Sequence, residues 1–224
     1  SSQCGSADVL EALGVKVDLP PEKVEKCIEE VGVGFMFAPV FHTSMKNVMP
    51  ARKQLGVRTV FNVLGPLTNP ANAQGQVIGV FDGNLTEKLA EVLKLLGVKH
   101  AFIVHGMEGL DEISISGETR VSELHEGRIE NYFVKPEDFG LARADLNEIK
   151  GGIKEENARM LTDVLKGVDK GPKRDITLLN SAAAIVSGGK AKNLKEGLKL
   201  AEKSIDSGMA LEKLDRLVEY CKTA

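Results

Sequence analysis

The spacing of apolar positions changes twice in the middle of the chain, and these changes predict a strand, a helix and a second strand. Gln76 to Phe81 is a short apolar, β-branched run, and Thr86 to Leu96 carries apolar residues at helical spacing before Gly97. Lys99 to His105 is the second short apolar run. A strand, a helix and a strand of this length form a crossover unit, so we expect two parallel strands whose carboxyl ends meet at one sheet edge.

Three shorter segments follow this unit and predict an antiparallel meander. They are residues 112–116, 120–125 and 128–134, separated by Gly117 and by Gly127. Helical patterns fill most of the remaining sequence, at residues 7–13, 22–31, 45–55, 155–168, 175–186, 194–207 and 211–221. The sequence therefore predicts an α/β fold with a central, mainly parallel sheet flanked by helices, an antiparallel appendage and a helical C-terminus. Because no repeat or linker interrupts the chain, we expect one α/β domain over residues 1–224.

Composition and charge are those of an ordinary globular protein. The chain is 42% hydrophobic and 27% charged, and its formal net charge of -3 gives no electrostatic reason to expect nucleic acid or an anionic membrane as a partner. No apolar run approaches the ~20 residues that cross a bilayer. Cys4, Cys27 and Cys221 are too far apart for a disulfide framework or a zinc site, so we expect free, buried thiols and a cytoplasmic protein.

Two adjacent carboxylates, Asp111 and Glu112, follow the second predicted strand on a loop that contains Gly106 and Gly109. In open α/β sheets, ligands bind beyond the carboxyl ends of the strands. Mg²⁺ commonly takes one or two protein carboxylates together with the oxygens of a substrate phosphate. The pair is therefore a candidate magnesium site. A solvated acidic turn is the alternative that the loop alone favours, because Asp and Glu beside Gly are common at protein surfaces.

Blocks of residues along nearly the whole chain resemble anthranilate phosphoribosyltransferases in their order and spacing. They are Ser2, Cys4 to Gly14, Phe35 to Pro39, His42, Arg52-Lys53, Phe61-Asn62, Leu64 to Pro70, Gly109 to Glu112, Gly151-Gly152, Asn157-Ala158, Leu179-Asn180 and Ile205 to Gly208. The opening serine and the Gly-Ser-Ala-Asp block at residues 5–8 also resemble pyrimidine-nucleoside phosphorylases of the same fold superfamily. The Gly-Pro-Leu-Thr-Asn-Pro and Gly-Leu-Asp-Glu blocks favour the transferase. The resemblance implies the catalytic-domain fold that the nucleoside phosphorylases and phosphoribosyltransferases share.

The resemblance also implies an activity, namely transfer of the phosphoribosyl group from phosphoribosyl pyrophosphate (PRPP) to anthranilate in tryptophan biosynthesis. The matching positions imply three sets of ligands: Asp111 and Glu112 for Mg²⁺, Ser1, Ser2 and Ser6 for PRPP, and Arg52 for the anthranilate carboxylate. No covalent or general-base catalyst is implied, because orientation and electrostatic stabilisation can carry the reaction.

Several of these positions also have ordinary structural explanations. Without the resemblance, Ser6 would be interpreted as a helix cap and Arg52 as a solvated charge on a helix. His42 matches a family position, but Thr43 stands where a proline commonly follows it, so we prefer a structural role for His42. His105 lies close to the acidic pair in sequence, yet we do not expect it to be catalytic, because an aromatic amine is already nucleophilic.

The resemblance further implies sequence that precedes residue 1. The family carries Lys-His-Gly-Asn-Arg before the serine block, and a Gly-Thr-Gly-Gly-Asp loop and a small helical domain further upstream; residues 1–224 contain none of these. We therefore expect that this chain alone holds an incomplete site, that residues at about 39–56 dock on the missing segment or partner chain, and that the complete protein is a homodimer. A pyrimidine-nucleoside phosphorylase and a non-catalytic interaction module are the alternative functions.

Overall fold

A computed structural model gives the fold and describes residues 4–42 and 61–224. Its helices are α1 (Ser6–Ala12), α2 (Pro21–Val31), α3 (Ala38–Phe41), α4 (Phe61–Leu67), α5 (Thr86–Leu95), α6 (Lys154–Leu165), α7 (Pro172–Ser187), α8 (Leu194–Asp206) and α9 (Met209–Thr223). Its strands are β1 (Gly75–Gly79), β2 (His100–Gly106), β3 (Thr119–His125) and β4 (Arg128–Val134). The predicted helical pattern between residues 45 and 55 lies outside the described residues.

The four described strands form one mixed sheet in the order β1-β2-β3-β4. Strands β1 and β2 are parallel, with Gly75 opposite His100 and Gly79 opposite Val104, and they are joined through helix α5 as the crossover pattern predicted. Strands β3 and β4 continue the sheet in antiparallel pairing. The predicted α/β class is therefore confirmed, with helices flanking a central sheet.

The meander differs from its prediction in two respects. Among the described strands one neighbouring pair is parallel and two are antiparallel, because β3 and β4 join the edge of the central sheet instead of forming a separate appendage. The prediction that residues 112–116 form a strand is wrong. Side chains take the place of a neighbouring strand there: Ile113 N–H donates to Asn180, and Ser114 N–H donates to the hydroxyl of Thr119.

Contacts divide the chain into two compact units. The first unit comprises residues 1–65, 151–168 and 205–224. Within it, helix α1 contacts α6, and α2 contacts α9. Pro21 opens α2 in its first turn, and Gly32 ends it with a left-handed φ of 91°. The core of this unit is aliphatic with two thiols and consists of Val15, Leu19, Val24, Cys27, Val31, Leu217 and Cys221.

The second unit comprises residues 66–150 and 169–204 and contains the sheet. Residues 101–106 of β2 are all buried, as expected for a strand covered on both faces, and helices α5 and α7 both contact this strand. Gly75 lets β1 approach helix α7 closely, since an added Cβ would lie 2.8 Å from the carbonyl carbon of Ser187. No helix in the described part of the chain has the length and apolar character needed to span a membrane.

Candidate active site

The acidic pair lies on the loop between β2 and β3, at the carboxyl edge of the parallel strands, as the sequence predicted. Asp111 and Glu112 are exposed, whereas the three residues that follow them are buried. Ile113 and Ser114 each retain 1% of their accessible surface, and Ile115 retains none. The loop is therefore anchored in the core immediately after the pair, while both residues of the pair remain exposed.

The carboxyl end of β1 supports the loop through Gly79. A Cβ added to Gly79 would lie 2.6 Å from the carbonyl carbon of Asp111 and closer still to its oxygen. Real Cβ atoms do not approach backbone so closely, which means that only glycine allows this contact between the strand and the loop. The end of β1 thus fixes the backbone at the first residue of the pair.

A side chain from helix α7 holds the loop just after the pair. The Ile113 N–H donates to Asn180 Oδ1 at 2.9 Å, and Asn180 Nδ2 donates to the Ile113 carbonyl at 3.0 Å. Nδ2 also donates to the carbonyl of Ile176 in its own helix, at 2.9 Å. Asn180 therefore satisfies both backbone polar groups of a buried residue that has no strand partner.

Turn hydrogen bonds close the start of the loop. The Gly106 N–H donates to the Leu110 carbonyl at 2.8 Å, and the Gly109 N–H donates to the Gly106 carbonyl at the same distance. Gly109 has a φ of 105°, which side chains rarely tolerate. The carboxylate of Glu108 accepts a hydrogen bond from the hydroxyl of Ser114. Glu108 is thus engaged within the loop itself.

The electrostatics of the pair suit a cation. Loss of solvation raises the pKa of Glu112 above its usual range even though the residue is exposed, and the negative charge of Asp111 raises this pKa further. A bound cation would offset both effects. Within residues 4–42 and 61–224, no cluster of three or more His, Cys, Asp or Glu side chains could hold a metal. Two carboxylates still fit Mg²⁺, which completes its coordination with water and substrate oxygens.

Of the residues predicted to bind substrates, only Ser6 is described. Ser6 is exposed at the first position of α1, and it is not the helix cap: Gly5 occupies the N-cap position, and the Gly5 N–H donates to the Asp8 carboxylate at 2.8 Å. Ser1, Ser2 and Arg52 lie outside the described residues. Their assigned roles, and the assigned role of Ser6, stay predictions.

The two histidines near predicted site positions have structural surroundings. His42 ends helix α3, and its N–H donates to the Ala38 carbonyl at 2.8 Å. His105 is buried in β2, where its Nδ1 lies 2.8 Å from the carbonyl oxygen of Val80. A ring nitrogen that donates to a backbone carbonyl fixes the tautomer and joins the end of β1 to β2.

Two groups that organise the loop carried no assigned role on the basis of sequence. Gly79 shows no sequence signal beyond being a glycine inside an apolar run. Asn180 was noted only as part of the resemblance, although it stands among Leu178, Leu179, Ala182 and Ala183, all of which are buried. A polar residue within such an apolar stretch is a signal that could have indicated a buried hydrogen-bonding partner.

Comparisons with known proteins identify similar sequences and structures. The chain is 57% identical over 220 residues to the anthranilate phosphoribosyltransferase of Symbiobacterium thermophilum, and the match covers 98% of this chain and 64% of that protein. The crystal structure of anthranilate phosphoribosyltransferase from Thermus thermophilus is similar with a TM-score of 0.93 and 48% identity, over 99% of this chain and 65% of that one.

A third relative is the Saccharomyces cerevisiae anthranilate phosphoribosyltransferase in complex with PRPP and Mg. It has a TM-score of 0.88 and 34% identity, over 98% of this chain and 63% of that one. The chain thus spans less than two thirds of the length of each of these relatives. The sequence model of the glycosyl transferase family, a/b domain, matches residues 1–211. The resemblance seen in the sequence is confirmed, and the chain belongs to the glycosyl transferase family, whose α/β domain it contains.

Proposed function

We propose that this chain is the catalytic α/β part of an anthranilate phosphoribosyltransferase, which transfers the phosphoribosyl group of PRPP to the amino nitrogen of anthranilate and releases pyrophosphate. The observation that carries the proposal is the exposed Asp111-Glu112 pair, anchored at the carboxyl edge of two parallel strands. The names of the relatives, and the PRPP and Mg of the yeast complex, support this activity over others.

The reaction breaks the bond between the anomeric carbon and pyrophosphate, so positive charge develops on the sugar and negative charge on the leaving group. Asp111 and Glu112 offer carboxylate oxygens that would hold Mg²⁺, which when bound stabilises the negative oxygens of pyrophosphate. The hydroxyl groups of Ser6 and, by the resemblance, Ser1 and Ser2 donate hydrogen bonds to phosphate oxygens. Arg52 pairs with the anthranilate carboxylate and orients the amine.

The proposed activity requires more sequence than these 224 residues, because the chain spans less than two thirds of its relatives. We propose that the remaining part docks on residues at about 39–56, whether it is supplied on the same polypeptide or as a second chain. The complete protein is proposed to be a cytoplasmic homodimer. Sedimentation of the chain with and without a supplied N-terminal fragment tests the docking, which is contradicted if the two never cosediment.

The direct test is loss of anthranilate fluorescence with PRPP and Mg²⁺, measured on the chain completed by an N-terminal fragment. We expect the double variant D111N/E112Q to lose nearly all Mg²⁺-dependent turnover. The matched control is E118Q, which removes a charge from another exposed residue of the same loop and should leave turnover as it is. Unchanged turnover in the double variant would refute the metal assignment.

Two other outcomes would point to the alternative functions. Release of free base from uridine or thymidine in the presence of inorganic phosphate, without consumption of anthranilate, would indicate a nucleoside phosphorylase. Binding of the N-terminal fragment without any release of pyrophosphate would indicate an interaction module. Either result would replace the proposed transferase activity.

A further inference from the structure

We infer that Asn180 is a positioning residue for the acidic pair: it fixes the backbone of Ile113 and thereby the direction in which Glu112 presents its carboxylate. The inference rests on the proposed function, because the pair has to bind a metal for its position to matter. Asn180 lies on α7, well outside the loop in sequence, and it touches neither carboxylate in the hydrogen bonds of the loop.

Peptide planarity connects the clamp to Glu112. The N–H of Ile113 and the carbonyl of Glu112 belong to one planar peptide unit, so holding the N–H of Ile113 holds the plane that follows Glu112. The carbonyl of Asp111 belongs to the plane that precedes Glu112, and this carbonyl packs against Gly79. Both peptide planes around Glu112 are therefore held from outside the loop. The direction of the Cα–Cβ bond of Glu112 is fixed as a result.

The clamp is itself rigid. Asn180 Nδ2 is shared between the carbonyl of Ile113 and the carbonyl of Ile176, one turn back in α7. Neighbouring Leu178 and Leu179 are fully or almost fully buried, so the helix turn that carries Asn180 is anchored in the core of the second unit. An apolar side chain of similar size could fill the space, but it would leave the Ile113 N–H and carbonyl without their partners.

The test measures binding of Mn²⁺, used as a spectroscopic probe for Mg²⁺, to the chain completed by an N-terminal fragment, by electron paramagnetic resonance. We expect N180A to weaken Mn²⁺ binding by about tenfold or more, the loss typical when a group that orients metal ligands is removed. Hydrogen exchange of the Ile113 amide should become faster in the same variant. Wild-type Mn²⁺ affinity in N180A would overturn the inference.

Two control variants separate positioning from a general loss of structure. T177A removes a hydroxyl that donates to the Lys173 carbonyl in the same helix. N157A removes an equivalent clamp, since Asn157 bonds both the N–H and the carbonyl of Gly152 in the first unit. Both variants should bind Mn²⁺ as the wild type does. A loss in either one as large as that in N180A would contradict a specific role for Asn180.

A measurement on the unmutated chain covers the case in which N180A does not fold. Saturating Mn²⁺ should slow exchange of the Ile113 amide, because metal bound at Glu112 and the clamp at Ile113 restrain the same peptide; unchanged exchange would overturn the inference.

The double variant D111N/E112Q distinguishes failure of the positioning role from failure of the proposed function. If the double variant binds Mn²⁺ normally, the metal assignment is wrong, whereas normal binding by N180A alone removes only the positioning role.

Discussion

The backbone carbonyl of Asp111 occupies the space that a side chain at position 79 would need. A Cβ on Gly79 would come within 2.6 Å of the carbonyl carbon of Asp111. The residue that ends β1 and the first residue of the acidic pair are thus in direct backbone contact, although a helix and a whole strand separate them in the chain. The acidic pair can therefore hold this position only because Gly79 has no side chain.

Replacing Gly79 with alanine tests this contact. Because the obstructing atoms belong to the backbone, either β1 or the acidic loop has to move, and we expect G79A to lower the free energy of unfolding by about 1 to 3 kcal/mol. Urea denaturation measures the loss. G65A is the control, since an added Cβ at Gly65 in α4 meets no atom of the described residues within 4 Å. Equal stability of G79A and the wild type would show that the loop does not depend on β1.

Local signals in the sequence predicted most of the second unit. The apolar runs placed β1 and β2 to within one or two residues, and Thr86 was the correct start of α5. These elements follow from side-chain period and from turn residues, which are local properties. The residues 112–116 alternate apolar and polar as a strand would, but their backbone groups are paired with Asn180 and Thr119. The alternation of apolar and polar residues cannot distinguish backbone groups that pair with a neighbouring strand from backbone groups that pair with side chains.

The candidate site was predicted in part. Asp111 and Glu112 could be identified because adjacent carboxylates follow a strand, and the edge of the sheet is where ligands bind. Asn180 could not be linked to them by spacing, because the two segments meet only after α7 packs on β1 and β2. The sequence therefore identifies groups that carry charge, whereas groups that orient them depend on tertiary packing.

The clamp of Asn157 on Gly152 gives a second prediction, for the first unit. The Gly152 N–H donates to Asn157 Oδ1 at 2.7 Å, and Nδ2 donates to the Gly152 carbonyl at 3.0 Å, just before α6 begins. We expect N157A to lower the free energy of unfolding by about 1 to 2 kcal/mol, because two backbone groups lose their partner. Urea denaturation monitored by circular dichroism is the measurement.

The control for that variant is T162A. Thr162 lies in the same helix, and its hydroxyl donates back to the Ala158 carbonyl, a type of bond that contributes little to stability. The unfolding free energy of T162A should remain close to that of the wild type. If N157A and T162A were equally stable, the bonds to Gly152 would have no measurable effect.

The three cysteines are expected to differ in reactivity. All are free thiols, as predicted; Cys27 and Cys221 are buried, but the predicted burial of Cys4 is wrong, because Cys4 is partly exposed. Burial raises the pKa of Cys27, and the nearby Cys221 and Glu30 raise it further, so its reactive thiolate is scarce at neutral pH. Iodoacetamide should therefore modify Cys4 first in the native chain. Mass spectrometry locates the label, and rapid labelling of Cys27 in the C4S variant would contradict the prediction.

Tyr132 is expected to make the fold sensitive to alkaline pH. Its hydroxyl donates to Glu123 Oε2 at 2.7 Å, while His100 Nε2 lies 2.8 Å from the other carboxylate oxygen. Burial raises the pKa of Tyr132 well above its usual value, and the hydrogen bond to Glu123 and the charges of Glu123 and Glu130 add to the effect. At neutral pH we expect Y132F to cost about 1 to 2 kcal/mol through the lost hydrogen bond.

The direction of the pH dependence follows from the raised pKa. The folded protein retains the Tyr132 proton at pH values where the unfolded chain, with a tyrosine pKa of about 10, releases it. The stability that Tyr132 contributes is therefore complete below about pH 10 and declines as the pH rises above it. Urea unfolding at about pH 9 and pH 11 should show a larger loss of unfolding free energy for the wild type than for Y132F.

Absorbance titration measures the Tyr132 proton directly. The chain has two tyrosines, so the variant Y220F leaves Tyr132 as the single phenol. A phenolate midpoint near the usual tyrosine value of about 10 in that variant would show that folded Tyr132 does not retain its proton.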